Sequence, residues 1–156
     1  MLRAQRTTTK GTATGLRIGI AAALYNTALA DGLLDNCVAT LRAAGVREKD
    51  ITVLRVPGSF EVTVAAAKLA RSRRCDCVIG LGVLVQGETS HAQHIAGAVA
   101  HGLTDIAIAT GIPTVFGIVT ANNLKQARVR CLGRQHNRGR EAAETALAMA
   151  RLGRDS

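Results

Sequence analysis

The sequence predicts an α/β protein: a three-layer α/β/α sandwich built on a four-stranded parallel sheet. Apolar runs of strand length alternate along the chain with stretches whose apolar residues recur every three to four positions. That alternation gives a parallel sheet with helices on both faces. The apolar run Cys77 to Val85, within a strand read as Cys75 to Val85, is continuous enough for burial on both sides. The chain has 156 residues, which fits one domain burying roughly 70% of its unfolded surface.

Residues 1–14 are rich in Thr, Gly, Lys and Arg, show no period, and read as an N-terminal arm preceding a single domain over 15–156. Leu16 to Leu24 reads as the first buried strand, followed by a turn and a candidate helix cap at Tyr25-Asn26-Thr27. Leu29, Leu33, Cys37 and Leu41 recur every four residues, an amphipathic helix ended by Gly45. Ile51 to Val56 is the second strand, closed by Pro57-Gly58, and Glu61 to Arg71 a helix with Val62, Ala65, Ala66 and Leu69 inward. Cys75 to Val85 is the third strand. A long helix follows over 91–110 on Ile95, Val99, Leu103 and Ile106, then a fourth strand from Pro113 to Val119. Helices at about 123–132 and 138–151 complete the chain, separated by a Gly-containing loop.

Hydrophobic residues make up 47% of the chain but aromatics only 2%: Tyr25, Phe60 and Phe116. The core must therefore be aliphatic, and each aromatic is either packing or a stacking group. A formal net charge of +9 suits phosphorylated substrates, acidic partners or nucleic acid. No aromatics are interleaved among the basic residues, so base stacking is not expected and nucleic acid is not the expected partner. The four cysteines form no zinc or redox spacing, and Cys75-Asp-Cys77 would place two thiols on one strand face. They read as buried free thiols of a reducing cytoplasm. Every apolar stretch is interrupted by Arg, Asp or Gly, so no membrane span is expected, and the N-terminus lacks the apolar region of a secretory signal.

In a parallel sheet, ligands sit beyond the carboxyl ends of the strands. Those ends carry Tyr25-Asn26, Pro57-Gly-Ser-Phe-Glu61, Gly87 to His91, and Thr120-Ala-Asn-Asn123. The turn Gly87-Glu88-Thr89-Ser90-His91 between strand and helix offers free N–H groups and a helix dipole to an anion such as phosphate. His91 stands beside it as an acid or base, although a histidine at a helix start also serves as a cap or surface group. His94 and His101 share a helix face and read as surface or interface residues. Ser59 and Glu61 read equally as helix capping and as recognition of a polar heterocycle, with Phe60 as an apolar wall. Lys125 to Arg140 holds six basic residues, one of which could complete the anion site through its planar fork. The chain has no P-loop, no dinucleotide fingerprint, no nucleophile elbow and no plausible set of metal ligands.

Taken together, these segments resemble the lumazine synthase family over about residues 15–152. The resemblance rests on Tyr25-Asn26, Val56-Pro-Gly-Ser-Phe-Glu61, Gly82-Val-Leu-Val-Gln-Gly-Glu-Thr-Ser-His91, Phe116-Gly-Ile-Val-Thr120, Gln126-Ala127, Arg130 and Asn137-Arg-Gly139. It implies a flavodoxin-like sheet and a reaction without cofactor or metal. A ribitylaminopyrimidinedione condenses with 3,4-dihydroxy-2-butanone 4-phosphate, loses phosphate and closes to 6,7-dimethyl-8-ribityllumazine. By motif position, it implies His91 for proton transfer and Arg130 for phosphate, helped by Glu88 and Thr89. Tyr25 would stack on the heterocycle. Asn26, Ser59, Phe60, Glu61 and the Val83, Leu84 and Val85 backbone would hold the pyrimidine and ribityl groups. Phe116 and Arg138 would complete the pocket from a neighbouring subunit. The resemblance also implies a homo-oligomer, a pentamer or pentamer-based assembly up to an icosahedral cage, with the arm joining an adjacent sheet.

Ala92 and Gln93 stand where the family usually has an aromatic and an acid, Val129 where an acid is common, and Arg134 and Arg138 where lysines are usual. The lost acids and the charge of +9 motivate a competing reading, a basic shell of the same fold that binds polyanionic cargo with weak catalysis. A related riboflavin synthase is a third.

Overall fold

A computed structural model describes residues 13–87 and 90–154. The chain runs β1 (Ile18–Ala23), α1 (Thr27–Ala43), β2 (Ile51–Val56), α2 (Val62–Arg71), β3 (Cys77–Val85), α3 (His91–Thr110), β4 (Thr114–Ala121), α4 (Leu124–Leu132) and α5 (Arg138–Arg154). Short 3-10 turns at Glu48–Asp50 and Ser59–Glu61 lead into β2 and α2. The four strands form one parallel sheet in the order β2-β1-β3-β4. Helices cover both faces, so the expected α/β/α sandwich is what the chain forms.

The period-2 alternation of the strands sorts side chains between two cores. Ile18, Ile20 and Ala22 of β1, with Cys77, Ile79, Leu81 and Val83 of β3, pack under α1, α4 and α5. Ala21, Ala23, Val78 and Ile118 face the other way, against α2 and α3. The expected helix stripes are the buried ones: Leu29, Leu33, Cys37 and Leu41 on α1, and Val62, Ala65, Ala66 and Leu69 on α2. An aliphatic core of small residues lets the layers approach closely. At Gly139 on α5, a Cβ would fall on the Leu33 carbonyl oxygen and lie 3.1 Å from the Cys37 nitrogen, so α5 touches the α1 backbone itself.

Several strand boundaries differ from expectation. The first strand is Ile18–Ala23 rather than Leu16–Leu24, and the fourth starts at Thr114 rather than Pro113. Two further shifts have a local cause. The third strand starts at Cys77, not Cys75, because the chain is pinned just before it. Asp76 N–H donates to the Arg17 carbonyl at 2.7 Å, and the Asp76 carboxylate accepts from Arg17 N–H at 2.8 Å. Cys75 therefore lies outside the strand and packs with α2 and α3, while Cys77 packs beneath α1 and α5. The two thiols do not share a face. The fourth strand runs to Ala121 rather than Val119, because Thr120 and Ala121 still pair with Leu84 and Val85 of β3. Among the described residues no helix is long and apolar enough to cross a membrane.

Candidate active site

The carboxyl ends of β1, β2 and β3 converge with the start of α3 on a hollow of 810 Å³, within the size range of small-molecule sites. Its wall comprises Tyr25, Asn26, Ser59, Phe60, Glu61, Val83, Leu84, Val85 and His91. Nine residues singled out from the sequence thus meet in one place, drawn from three strand ends and one helix start.

The local chemistry explains how they are held. Leu24 N–H donates to the Val56 carbonyl at 2.8 Å and Tyr25 N–H to the Pro57 carbonyl at 2.9 Å, so the exit of β1 is bound to the exit of β2. Asn26 then turns the chain in the left-handed region, at φ 61° and ψ 55°, which asparagine tolerates better than most residues. Its side chain does not cap α1. Instead Nδ2 donates to the Val83 carbonyl at 3.2 Å, bracing β1 against β3 at the floor of the hollow. Gly58 is the N-cap of the 3-10 turn and Glu61 that of α2, so Ser59 does not occupy a cap position. It is buried, and its hydroxyl sits directly over Gly82 of β3, where any Cβ would collide with it. Both residues are candidate caps from sequence; in the structure Asn26 braces β1 against β3 and Ser59 packs against Gly82 of β3.

Tyr25 is 73% exposed and Phe60 61% exposed, two aromatic rings at the rim with little else against them. Large exposed rings on an aliphatic protein mark a binding surface better than packing. His91 opens α3 and is also exposed. Glu88 and Thr89 lie outside the described residues.

Phe116, Arg130 and Arg138 do not join that hollow. They line a second depression of 290 Å³ with Ile118, Val119, Thr120 and Glu141, beside the edge strand β4. The sheet edge supplies the reason. An edge strand presents unpaired carbonyls, and Arg138 answers one of them: its Nη2 donates to the Phe116 carbonyl at 2.7 Å while Nη1 pairs with Glu141 at 3.3 Å. Arg130, in the last turn of α4, faces the same depression. Arg130 is thus grouped with Phe116 and Arg138 and not, within one chain, with His91.

Sequence reasoning missed other members of these walls. His94, read as a surface or interface residue, lines the first hollow with Ala92, Ile95 and Ala98. The signal was available, since His91 and His94 are three apart and so neighbours on one helix face. Glu141, not singled out from the sequence, lines the second depression. Among the described residues no group of three His, Cys, Asp or Glu side chains could hold a metal ion. The four free cysteines are buried away from both hollows. Desolvation raises all four thiols, to about 12 at Cys37 and Cys77 and about 11 at Cys131.

Comparison with known proteins bears on this geometry. Residues 15–154 match the family model described as 6,7-dimethyl-8-ribityllumazine synthase. A 6,7-dimethyl-8-ribityllumazine synthase of Aquifex aeolicus is 45% identical over 143 residues, covering 92% of this chain and 93% of that one. One of Parabacteroides distasonis is 39% identical over 137 residues, covering 88% and 86%.

Proposed function

The chain belongs to the 6,7-dimethyl-8-ribityllumazine synthase family, and from that premise we propose how its two hollows divide the reaction. The activity is the condensation of a ribitylaminopyrimidinedione with 3,4-dihydroxy-2-butanone 4-phosphate. One observation carries the division of labour. Among the described residues, the first hollow is lined by aromatics, backbone polar groups and histidine but by no arginine or lysine, whereas the second holds two arginines and no histidine. Chemistry on a phosphate ester needs both. A second copy of the chain, setting its β4 edge against the first hollow, supplies both.

In this reading the pyrimidine lies against Tyr25 and Phe60, with Asn26, Ser59, Glu61 and the backbone of Val83, Leu84 and Val85 around its polar edge and ribityl chain. Val83 keeps only part of its carbonyl capacity for ligand, since Asn26 already donates to it. The phosphate lies between the Gly87–His91 turn, with Glu88 and Thr89, and the neighbour's Arg130 and Arg138. Phe116 of that neighbour closes the far side of the ring.

The pyrimidine amine attacks the ketone carbon, and loss of water leaves an imine. Removal of a proton beside the imine expels inorganic phosphate. Elimination leaves an enol, which takes up a proton at its terminal carbon and becomes a ketone at the carbon that bore the hydroxyl. The ribitylamino nitrogen attacks that new carbonyl, and loss of a second water closes the ring. His91 moves the proton at each step, a contribution of typically about 10²–10⁴-fold. Fixing both substrates on two rigid walls supplies the larger part through orientation. Arg130 and Arg138 stabilise the departing phosphate by charge. The assembly proposed is a homo-oligomer, a pentamer or pentamer-based shell, with the arm of residues 1–14 on a neighbouring sheet. The buried free thiols support a cytoplasmic setting.

The test is complementation. His91→Ala and Arg130→Ala are each expected to lose most lumazine formation, followed by product absorbance. Co-assembled in equal amounts, they regain roughly a quarter of wild-type activity, because one neighbour pair in four combines an intact His91 with an intact Arg130. If the mixture is no more active than its components, the two residues do not meet across chains.

A further inference from the structure

We infer that Asn137 is a positioning residue for the phosphate-binding arginines, a single amide that fixes the end of α4 relative to the start of α5. The inference rests on the reading that Arg130 and Arg138 hold the phosphate.

Asn137 is 1% exposed, one of two buried polar side chains among the described residues. A buried amide requires partners for two donors and an acceptor, and each partner here belongs to a helix end. Nδ2 donates to the Cys131 carbonyl at 3.2 Å and to the Gly133 carbonyl at 2.9 Å. Those groups belong to the last turn and C-cap of α4, where carbonyls have no partner within the helix. Oδ1 accepts from Arg140 N–H at 3.1 Å, satisfying a free donor in the first turn of α5. One side chain therefore terminates one helix and begins the next.

The arginines flank its anchor points. Arg130 immediately precedes Cys131, and Arg138 immediately follows Asn137. Both line the second depression. Among the described residues no other side-chain hydrogen bond ties the loop between them to α4. Arg140 holds the loop's outer carbonyls at Arg134 and Gln135, but those lie beyond the helix. A second amide reinforces the anchor from α1: Asn36 Nδ2 donates to Cys131 at 3.4 Å and to Gly32 at 2.8 Å. The Cys131 carbonyl, next to Arg130, thus accepts from two asparagines on two elements. Long arginine side chains can reach an anion from many backbones. A bidentate hold on one phosphate by two of them requires the two backbones to be fixed relative to each other.

The decisive variant is Asn137→Asp. It keeps size and the acceptor for Arg140 N–H and removes the two donations into α4. Because it also buries a carboxylate, the charge-free Asn36→Ala is measured beside it. A rise in the phosphate constants confined to Asn137→Asp is an effect of charge that overturns the inference. KM for the phosphate-bearing substrate is expected to rise about tenfold, with KM for the pyrimidine within about twofold of wild type. The inhibition constant of inorganic phosphate is expected to rise by the same factor. Asn36→Ala, at a half-buried site, is expected to shift the same two constants by about threefold and serves if Asn137→Asp does not fold. A fall in active fraction with both KM values unchanged overturns the inference, because it describes a residue needed only for folding. Arg130→Ala separates the two levels. If it raises the phosphate-substrate KM and the asparagine variants do not, Asn137 has no positioning role. If it leaves that KM unchanged, the phosphate site itself is misassigned and this inference falls with it.

Discussion

The guanidinium of Arg138 donates to the main-chain carbonyl of Phe116 at 2.7 Å. An arginine on α5 thus completes the hydrogen bonding of an edge strand while its second nitrogen pairs with Glu141 at 3.3 Å. The planar fork can serve both partners at once, and a lysine ammonium on a single stem cannot hold the same geometry. Arg138→Lys is therefore expected to keep the positive charge and the affinity for phosphate but to lose about 1 kcal/mol of stability, read from urea unfolding. Arg138→Ala should lose both.

Gly82 gives a second prediction. A methyl group there would strike the Ser59 hydroxyl and lie 3.1 Å from Ser59 Cβ and 3.2 Å from Ile118 Cδ1. Strand and turn would have to separate at the wall of the first hollow. Gly82→Ala is expected to cost about 1–3 kcal/mol, as overpacked cores do. It should also raise the KM of the pyrimidine more than that of the phosphate ester, since the displaced turn carries Ser59, Phe60 and Glu61. Steady-state kinetics with each substrate varied in turn checks it.

The buried thiols set an alkaline limit. Folded Cys37 and Cys77 hold their protons to about 12, against 9.0 for the ordinary thiol. Above pH 9 the unfolded chain therefore binds fewer protons than the folded one, and stability falls as pH rises toward 12. Each thiol contributes about 1.4 kcal/mol per pH unit over that window and nothing below it. Urea midpoints from pH 7 to 11 should show a steeper alkaline decline in the wild type than in Cys37→Ala/Cys77→Ala. Parallel curves would show that the thiols ionise without unfolding.

Much of this was legible in the chain because it follows from short-range regularity. The four-residue recurrence of Leu29, Leu33, Cys37 and Leu41 needs no tertiary information, nor does the run from Cys77 to Val85. The first hollow was legible because parallel strands place all their carboxyl ends on one edge. What escaped is what depends on a partner distant in sequence. Asn26 looks like a cap until Val83, 57 residues away, accepts its amide. Cys75 looks like a strand residue until Asp76 and Arg17 stop the ladder beside it. The grouping of Arg130 with Phe116 depends on which helix lies along the β4 edge, and no periodicity encodes that.

Tyr25 has a consequence outside catalysis. It is the single tyrosine of a chain with no tryptophan, and its ring stands largely bare at the mouth of the first hollow. The intrinsic ultraviolet emission of the protein therefore comes from one phenol at one address. A ligand stacking there should quench essentially the whole signal, so occupancy can be read on the unlabelled protein, and Phe60→Ala can be compared with wild type by the same light.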